Sequence, residues 1–202
     1  ARLLEAAISQ RADMMIVHHG LFWRSDRHPF ALTGIQRARL ALLIQHDINL
    51  LGYHLPLDAH PEIGNNAQIL KRLELKQGPA VDVGYVGVLS EPMAFDAFVN
   101  RVNQFLCTRA QVFPYGPDRT QKVVAISGGS SPEYQKAIEA GADTFLGGDI
   151  RENIVRELEE AGINYINAGH YNTEKFGIQA LGERIRSAFD LAVQFIDIPN
   201  TV

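Results

Sequence analysis

Apolar residues follow two spacings that alternate along the first part of the chain. A helical spacing over residues 3–8 precedes the continuous apolar run 14–17, and a second helical spacing over 35–46 precedes the run 48–53. The polar segment 23–33 between them is expected to be a loop. A short run that is apolar at every position is typical of a strand buried on both faces of a parallel sheet. The pattern therefore predicts helices and parallel strands in alternation, as in an α/β fold.

The same alternation continues through the rest of the chain. Further strands are predicted at 81–89, 111–113, 122–127 and, at a sheet edge, 192–198. Pro92 is expected to open a helix with an apolar face formed by Phe95, Phe98, Val102, Phe105 and Leu106. A last helix is expected to be capped by Asn172 or Thr173 and to continue with the apolar residues Ile178, Leu181, Ile185 and Phe189.

Two segments of the chain resemble each other in the order of their features. In each segment an Ala-Asp dipeptide (12–13 and 142–143) precedes a predicted strand, and an Ile-Asn dipeptide (48–49 and 163–164) precedes a second one. A helix is predicted between the two strands of each segment. Features that recur in the same order indicate an internal duplication.

A histidine follows the second strand of each segment, and an acidic residue comes four positions after it. His54 and Asp58 occupy these places in the first segment, and His170 and Glu174 occupy them in the second, with a shift of one residue. We therefore predict two similar α/β lobes with mainly parallel sheets and a metal-binding cleft between them. The cleft is expected at the carboxyl ends of the strands, where parallel α/β sheets bind ligands. The lobes are predicted to be formed by residues 1–78 and 79–202.

The composition narrows the class of protein. The 202 residues include 19 Lys and Arg against 23 Asp and Glu, which gives a formal net charge of −4, and 46% of residues are hydrophobic. This hydrophobic fraction is typical of a folded globular domain. An acidic balance argues against broad non-specific binding of nucleic acids, which needs a basic surface. No apolar run reaches the roughly 18 residues that cross a bilayer, so a membrane protein is not expected.

Cysteine usage and the start of the chain suggest a compartment. Cys107 is the single cysteine, so no intramolecular disulfide is expected, and we expect it to lie on a helix face as a small apolar residue. No signal peptide is visible, so a cytoplasmic location is expected. The chain begins without Met and is helical in pattern from its first residue, which predicts trimming at the N-terminus.

Residue types that bind metals occur where the predicted strands end. They are four histidines and two acids: His18, His19, His54, Asp58, His170 and Glu174. These exceed the ligands of one tetrahedral ion, whereas a pair of ions bridged by a carboxylate would use them and would activate water for hydrolysis. Each pattern alone also has a structural interpretation, such as Glu174 complementing a helix dipole. The remaining histidines, His28, His46 and His60, are expected to be solvated surface residues.

Two further features carry weaker signals. The segment 126–132 combines a strand end, two glycines and Pro132, so its backbone amides are candidates to hold a phosphate. It lacks the lysine and the glycine spacing of known phosphate-binding loops, which favours a structural turn. In the internal duplication, the segment that ends at Asp149 corresponds to the segment that ends at His18 and His19. We therefore expect the side chain of Asp149 to face the cleft as well.

Three separated motifs in a fixed order resemble one known family. They are the segments 17–23 (VHHGLFW), 53–60 (YHLPLDAH) and 169–174 (GHYNTE), and the likeness extends to 64–66, 127–129 and 195–200. The family is the dinuclear-metal group of GTP cyclohydrolase type 2 homologues, also called the YbgI or Ngg-interacting-factor-like family. Its members usually begin with a further strand and helix, which precede the point where this chain starts.

The resemblance implies a metal site and an assembly. Two divalent metal ions would be held by His18, His19, Asp58, His170 and Glu174. Glu174 would bridge the ions, and the subunits would form a toroidal homohexamer. In this pattern His54 lies beside the metals as a candidate for acid–base catalysis or for orienting bound water. The spacing of the residues alone would instead make His54 a ligand.

The residues and the resemblance together predict a cytoplasmic metal-dependent hydrolase. A purine nucleotide such as GTP, or a damaged nucleotide, is the expected substrate. Mixed imidazole and carboxylate ligands suit Zn, Fe, Mn or Ni. The alternative is a non-catalytic protein with structural metals, which would hold the lobes together or regulate a partner according to metal supply.

Overall fold

The structure is a computed structural model that describes residues 1–23 and 32–200. The α-helices are α1 (Arg2–Ser9), α2 (Gly34–Gln45), α3 (Leu55–Asp58), α4 (Asn65–Arg72), α5 (Phe95–Leu106), α6 (Tyr134–Glu139), α7 (Glu152–Ala161), α8 (His170–Glu174) and α9 (Phe176–Phe189). The strands are β1 (Met14–Val17), β2 (Asn49–Gly52), β3 (Lys76–Val81), β4 (Gly84–Ala94), β5 (Gln111–Phe113), β6 (Arg119–Ala125), β7 (Thr144–Gly147) and β8 (Asn164–Asn167). Most of the polar loop predicted at 23–33, with His28, lies outside the described residues.

The strands form two sheets, and the larger one is mixed. β1 and β2 pair in parallel, while the second sheet has the order β3-β4-β6-β7-β8-β5. Only the pairs β6–β7 and β7–β8 are parallel in that sheet. The prediction of mainly parallel sheets is therefore wrong for the larger sheet. The reason is that β3 and β4 form a tight hairpin, which forces antiparallel pairing, and β5 adds to β8 in the antiparallel sense.

Alternate side chains of the central strands enter two separate cores. Val123 and Ala125 of β6 pack in a cluster with α4 and α5, whereas Val124 packs in a second cluster with α6 and α7. Successive side chains of a strand point to opposite faces, so a strand covered by helices on both faces must be apolar at every position. This requirement explains the continuous apolar run at 123–126.

A third core is built from the first elements of the chain. Leu4 and Ala7 of α1 pack with Met15 of β1 and Leu43 of α2. Among the described residues, no helix combines the length and the apolar character needed to cross a membrane.

The two strand pairs that belong to the sequence repeat share one register. Met14, the residue after the first Ala-Asp dipeptide, lies opposite Asn49, and Thr144, after the second dipeptide, lies opposite Asn164. The backbone amide of each asparagine donates to the carbonyl of the preceding aspartate, Asp13 or Asp143. The two segments of the sequence repeat therefore pair their strands in the same way. Duplication of whole lobes at 1–78 and 79–202 stays a prediction.

Three local predictions are corrected. No strand forms at 192–198, because the segment packs back against α9, where Arg186 donates to the carbonyl of Val193. The helix expected to open at Pro92 begins at Phe95, since β4 extends through Pro92 to pair with β6. Cys107 does not lie on a helix face but follows α5 in a left-handed conformation and is exposed.

Candidate metal centre

The first two strands deliver three histidines to one place. His18 and His19 directly follow β1, and His54 comes two residues after β2. Because the strands are parallel, their carboxyl ends lie at the same edge. The ring centroids of His18 and His54 are 4.9 Å apart, and those of His19 and His54 are 5.1 Å apart. Asp58 lies one helical turn after His54, at the end of the short helix α3.

The second acid and the fourth histidine come from α8, which follows β8. His170 and Glu174 are four residues apart and therefore lie on one face of the helix. Their side chains meet, with Nε2 of His170 3.0 Å from Oε2 of Glu174. Gly169 precedes the helix with φ = 88°, a conformation that L side chains rarely adopt. A glycine is therefore required where the chain turns from β8 into the site.

Glu174 joins residues from both ends of the chain through its two oxygens. Its Oε1 lies 3.6 Å from Nε2 of His18, and its Oε2 lies 3.1 Å from Nε2 of His19. Asp58 approaches the same His18 nitrogen, with Oδ2 at 3.4 Å. The donor atoms thus fall into two groups that share Glu174, one with His18 and Asp58 and the other with His19 and His170.

The spacing of these atoms fits ligands around an ion. Two donors that each lie about 2.0–2.1 Å from a tetrahedral zinc ion are separated by roughly 3.3 Å, and the observed separations run from 3.0 to 3.6 Å. His18 is 8% exposed, yet among the described residues neither ring nitrogen forms a hydrogen bond, although Asp58 and Glu174 lie within ion-pair distance of Nε2. Buried polar atoms are normally satisfied, so a buried imidazole without a hydrogen bond is suited to bind a ligand. The cluster could therefore hold a metal ion.

His54 belongs to this cluster by distance but differs in its partners. One ligand atom from each of His18, His19, His54 and Glu174 lies within 4.8 Å of the others. Unlike the other three histidines of the site, His54 forms no ion pair with a carboxylate among the described residues. Its ring instead packs edge-on against Trp23, with centroids 5.2 Å apart.

The electrostatics of the cluster favour an ionised Glu174 and a protonated His18. Burial alone would raise the pKa of Glu174, but His170, His18 and His19 outweigh burial and hold its pKa far below the usual range. Burial opposes charge on His18, yet Asp58 and Glu174 outweigh it and raise the pKa of His18 to about 9. The pKa of His170 is raised by Glu174. Burial, with the charges of His18 and His19, lowers the pKa of His54.

The glycine-rich segment after β6 is a structural turn that lies against the site. Two of its amides donate to side chains within the protein, that of Gly128 to Thr173 Oγ1 and that of Ser131 to Asp149 Oδ1. These contacts support the interpretation as a structural turn rather than a phosphate loop. A Cβ built on Gly129 would lie 3.7 Å from His170 Cε1 and 4.0 Å from Asp149 Oδ2. Asp149 therefore lies near the site, as the repeat suggested.

The residues that hold Asp58 were missed by analysis of residue types. Asn65 and Asn66, both fully buried at the start of α4, and Ser127 surround its carboxylate and backbone. The segments that contain these residues, 64–66 and 127–129, were identified only through the family resemblance. The residue types alone offered one signal for them, which is a pair of asparagines within a helical pattern. Of the other histidines, His46 is exposed, and His60 Nδ1 accepts hydrogen bonds from two backbone amides.

Comparisons with known proteins agree with the motifs. A family model described as Duf34/NIF3 (NGG1p interacting factor 3) matches residues 1–201. The chain is 41% identical to a "GTP cyclohydrolase 1 type 2 homolog" of Yersinia pestis, over 98% of this chain and 80% of that protein. It is similar to the solved structure of protein ybgI, described as of unknown function, with a TM-score of 0.95, 36% identity and coverage of 100% and 81% of the two chains. The crystal structure of TTHA1606 from Thermus thermophilus gives a TM-score of 0.91 at 33% identity, over 99% of this chain and 80% of that one.

Proposed function

The chain belongs to the Duf34/NIF3 (NGG1p interacting factor 3) family, and from this premise we propose that it is a hydrolase that uses two divalent metal ions. The proposed substrate is a purine nucleotide such as GTP, or a damaged nucleotide. The relatives named "GTP cyclohydrolase 1 type 2 homolog" support this substrate class. The observation that carries the proposal is the buried His18 ring: neither of its nitrogens forms a hydrogen bond among the residues that the structure describes, and two carboxylates lie beside it.

Five residues are proposed as the metal ligands. His18 and Asp58 would hold one ion, and His19 and His170 would hold the other. Glu174 would bridge them, because its two oxygens face different histidines. Imidazole and carboxylate together suit Zn, Fe, Mn or Ni.

Two such ions activate water as a nucleophile and stabilise negative charge that develops during hydrolysis. The side chains supply the remaining requirements. Glu174 stays ionised because three histidines lower its pKa, so it is ready to bind cations at neutral pH. Asp58 is almost completely buried, and its burial excludes water from one side of the site.

His54 is the proposed acid–base residue. Its lowered pKa keeps the ring neutral at pH 7, and a neutral imidazole accepts a proton. Within the described part of the chain no carboxylate pairs with its nitrogens, and the edge-on contact with Trp23 limits rotation of the ring. Its position next to His18 and His19 suits proton transfer to or from a group reacting at the site.

Turnover on a panel of nucleotides tests the proposal. Protein loaded separately with Zn, Fe, Mn or Ni is compared with Glu174→Ala, and hydrolysis is measured by product chromatography. We expect metal-dependent hydrolysis of at least one purine or modified nucleotide by the wild type and its loss in the variant. Equal rates in the two proteins would exclude the proposed mechanism.

A structural role for the metals is the second candidate function. It is favoured by the origin of the ligands, because His18 and His19 come from the start of the chain whereas His170 and Glu174 come from near its end. Ions bound there would join the segments that we propose as two lobes. A large loss of thermal stability on chelation, with no turnover of any nucleotide, would support this role.

The proposal includes assembly and location. From the family resemblance we propose a toroidal homohexamer that acts in the cytoplasm. Ile35 and Ile44 of α2 are 71% and 70% exposed, which is apolar surface that an assembly would bury. Light scattering coupled to size exclusion measures the mass; a value of six chains supports the hexamer, and a monomer at micromolar concentration contradicts it.

A further inference from the structure

The two oxygens of Asp58 have different surroundings. Oδ1 accepts a hydrogen bond from Asn65 Nδ2 at 2.8 Å and another from Ser127 Oγ at 3.1 Å. Oδ2 faces the site, 3.4 Å from Nε2 of His18. The residue is 2% exposed, so water does not compete for Oδ1. One oxygen is thus used inside the protein, and the other is directed at the site.

Asn65 connects Asp58 to the helix that follows Glu174. Its Oδ1 accepts the backbone amide of Gly177 at 2.7 Å, which fixes the orientation of the side-chain amide and makes Nδ2 the donor to Asp58. A Cβ on Gly177 would lie 2.9 Å from Oδ1 of Asn65, so the glycine permits this close approach. One buried side chain therefore sets the position of Asp58 relative to the start of α9.

Ser127 is held in place by the neighbouring asparagine. Asn66 Oδ1 accepts the backbone amide of Ser127 at 2.7 Å, and Asn66 Nδ2 donates to the carbonyl of Val83 at 2.9 Å. Both asparagines and Ser127 are buried. Fully satisfied buried networks of this kind hold their members in one arrangement.

We propose that Asn65 and Ser127 are positioning residues that make Asp58 a metal ligand through Oδ2 alone. Their two hydrogen bonds occupy Oδ1 and fix the plane of the carboxylate, so that Oδ2 meets the ion on the His18 side. The inference rests on the proposed metal site and adds the residues that orient one of its ligands. Partners of this kind typically change metal affinity about 10- to 100-fold when they are removed.

Ser127→Ala tests the proposal against a matched control in the same turn. Ser130 is also a buried serine, and its hydroxyl donates to the carbonyl of Ile126 rather than to Asp58. Ser130→Ala therefore removes one buried hydroxyl without changing the surroundings of Asp58. The affinity for each ion is measured by chelator competition with Zn²⁺, and the ligand field is measured from the visible absorption of the Co²⁺-loaded proteins.

We expect Ser127→Ala to lower the affinity for one of the two ions by about 10- to 100-fold and to change the Co²⁺ spectrum. Ser130→Ala should keep both affinities and the wild-type spectrum. Asn65→Ala, checked for folding by circular dichroism, should lower the affinity for the same ion as Ser127→Ala does.

The outcomes separate this inference from the proposed function. If the wild type binds two ions and Ser127→Ala binds them as Ser130→Ala does, the positioning role is overturned and the metal site stands. If the wild type binds no ion under any condition, the proposed site is wrong and the positioning role is overturned with it.

Discussion

Gly128 lies directly against the carboxylate of Glu174. A Cβ built at position 128 would lie 3.0 Å from Cδ of Glu174 and still closer to its Oε1, and the residue has φ = 68°. The left-handed backbone and the close approach both require glycine. The turn after β6 therefore forms one wall of the site and limits where Glu174 can lie.

Gly128→Ala should displace Glu174 and weaken metal binding. The added methyl group overlaps the carboxylate, and the positive φ adds roughly 1–2 kcal/mol of backbone strain. We expect fewer than two ions per chain by elemental analysis after dialysis, together with a lower melting temperature.

Gly129→Ala is the matched control for this prediction. A Cβ at position 129 would meet no described atom closer than 3.7 Å, and its φ is not in the left-handed region. This variant should keep the wild-type metal content. If both variants lose metal equally, a general defect of the turn explains the loss, and the specific contact with Glu174 does not.

The closeness of the side chains at the candidate metal centre could be predicted from the sequence because the residues follow strands. His18 and His19 follow an apolar run, and because parallel strands present ligands at their carboxyl ends, the sequence alone groups them with His54. The distances now bring His170 and Glu174 to the same place. Local pattern was sufficient there because each residue lies within a few positions of a recognisable strand.

Features that depend on distant partners could not be predicted in this way. The segment 192–198 has the apolar character of a strand, but a strand needs a neighbour, and this one packs on α9. The antiparallel pairing of β5 with β8 likewise depends on tertiary contacts that the local sequence does not contain. Asn65 and Ser127 reach Asp58 across separate elements, and an asparagine near a glycine indicates only a turn to local analysis.

His54→Gln distinguishes an acid–base residue from a ligand. If His54 transfers protons, the variant should keep two ions per chain but lose turnover by about 10²- to 10⁴-fold, because general acid–base catalysis contributes that much. Metal content is measured by elemental analysis, and turnover is measured on whichever nucleotide the panel identifies. A variant that loses one ion would show that His54 is a ligand, as its spacing in the sequence suggested.

Removal of the metals should destabilise the fold. Without ions, the buried carboxylates of Asp58 and Glu174 lie beside His18, which must carry a proton to compensate them. An ion present at 100 times its dissociation constant contributes about 2.7 kcal/mol, which is a drop of roughly 5–10 °C in melting temperature on chelation for a chain of this size. Differential scanning fluorimetry with and without a chelator measures it.

Glu174→Gln serves as the control for chelation. The amide keeps the shape of the side chain but cannot bridge two cations as a carboxylate does. Its melting temperature should respond little to the chelator. An equal response in the variant and the wild type would place the stabilising ion elsewhere in the chain.

Metal binding should release protons and strengthen with pH. The pKa of His18 is raised from its ordinary value of 6.5 to about 9, so the metal-free protein carries this proton at pH 7, whereas a ligand imidazole must be neutral. The raised pKa stabilises the metal-free fold fully below about pH 6.5, and this contribution is lost as the pH rises through about 9. Metal affinity should change in the opposite sense, increasing up to about pH 9 and then levelling off.

Titration calorimetry in two buffers of different ionisation enthalpy counts the protons released, and we expect about one from His18. The control His46→Ala, which removes an exposed histidine outside the site, should give the same count. An apparent enthalpy that is equal in both buffers would mean that His18 is neutral before the metal binds.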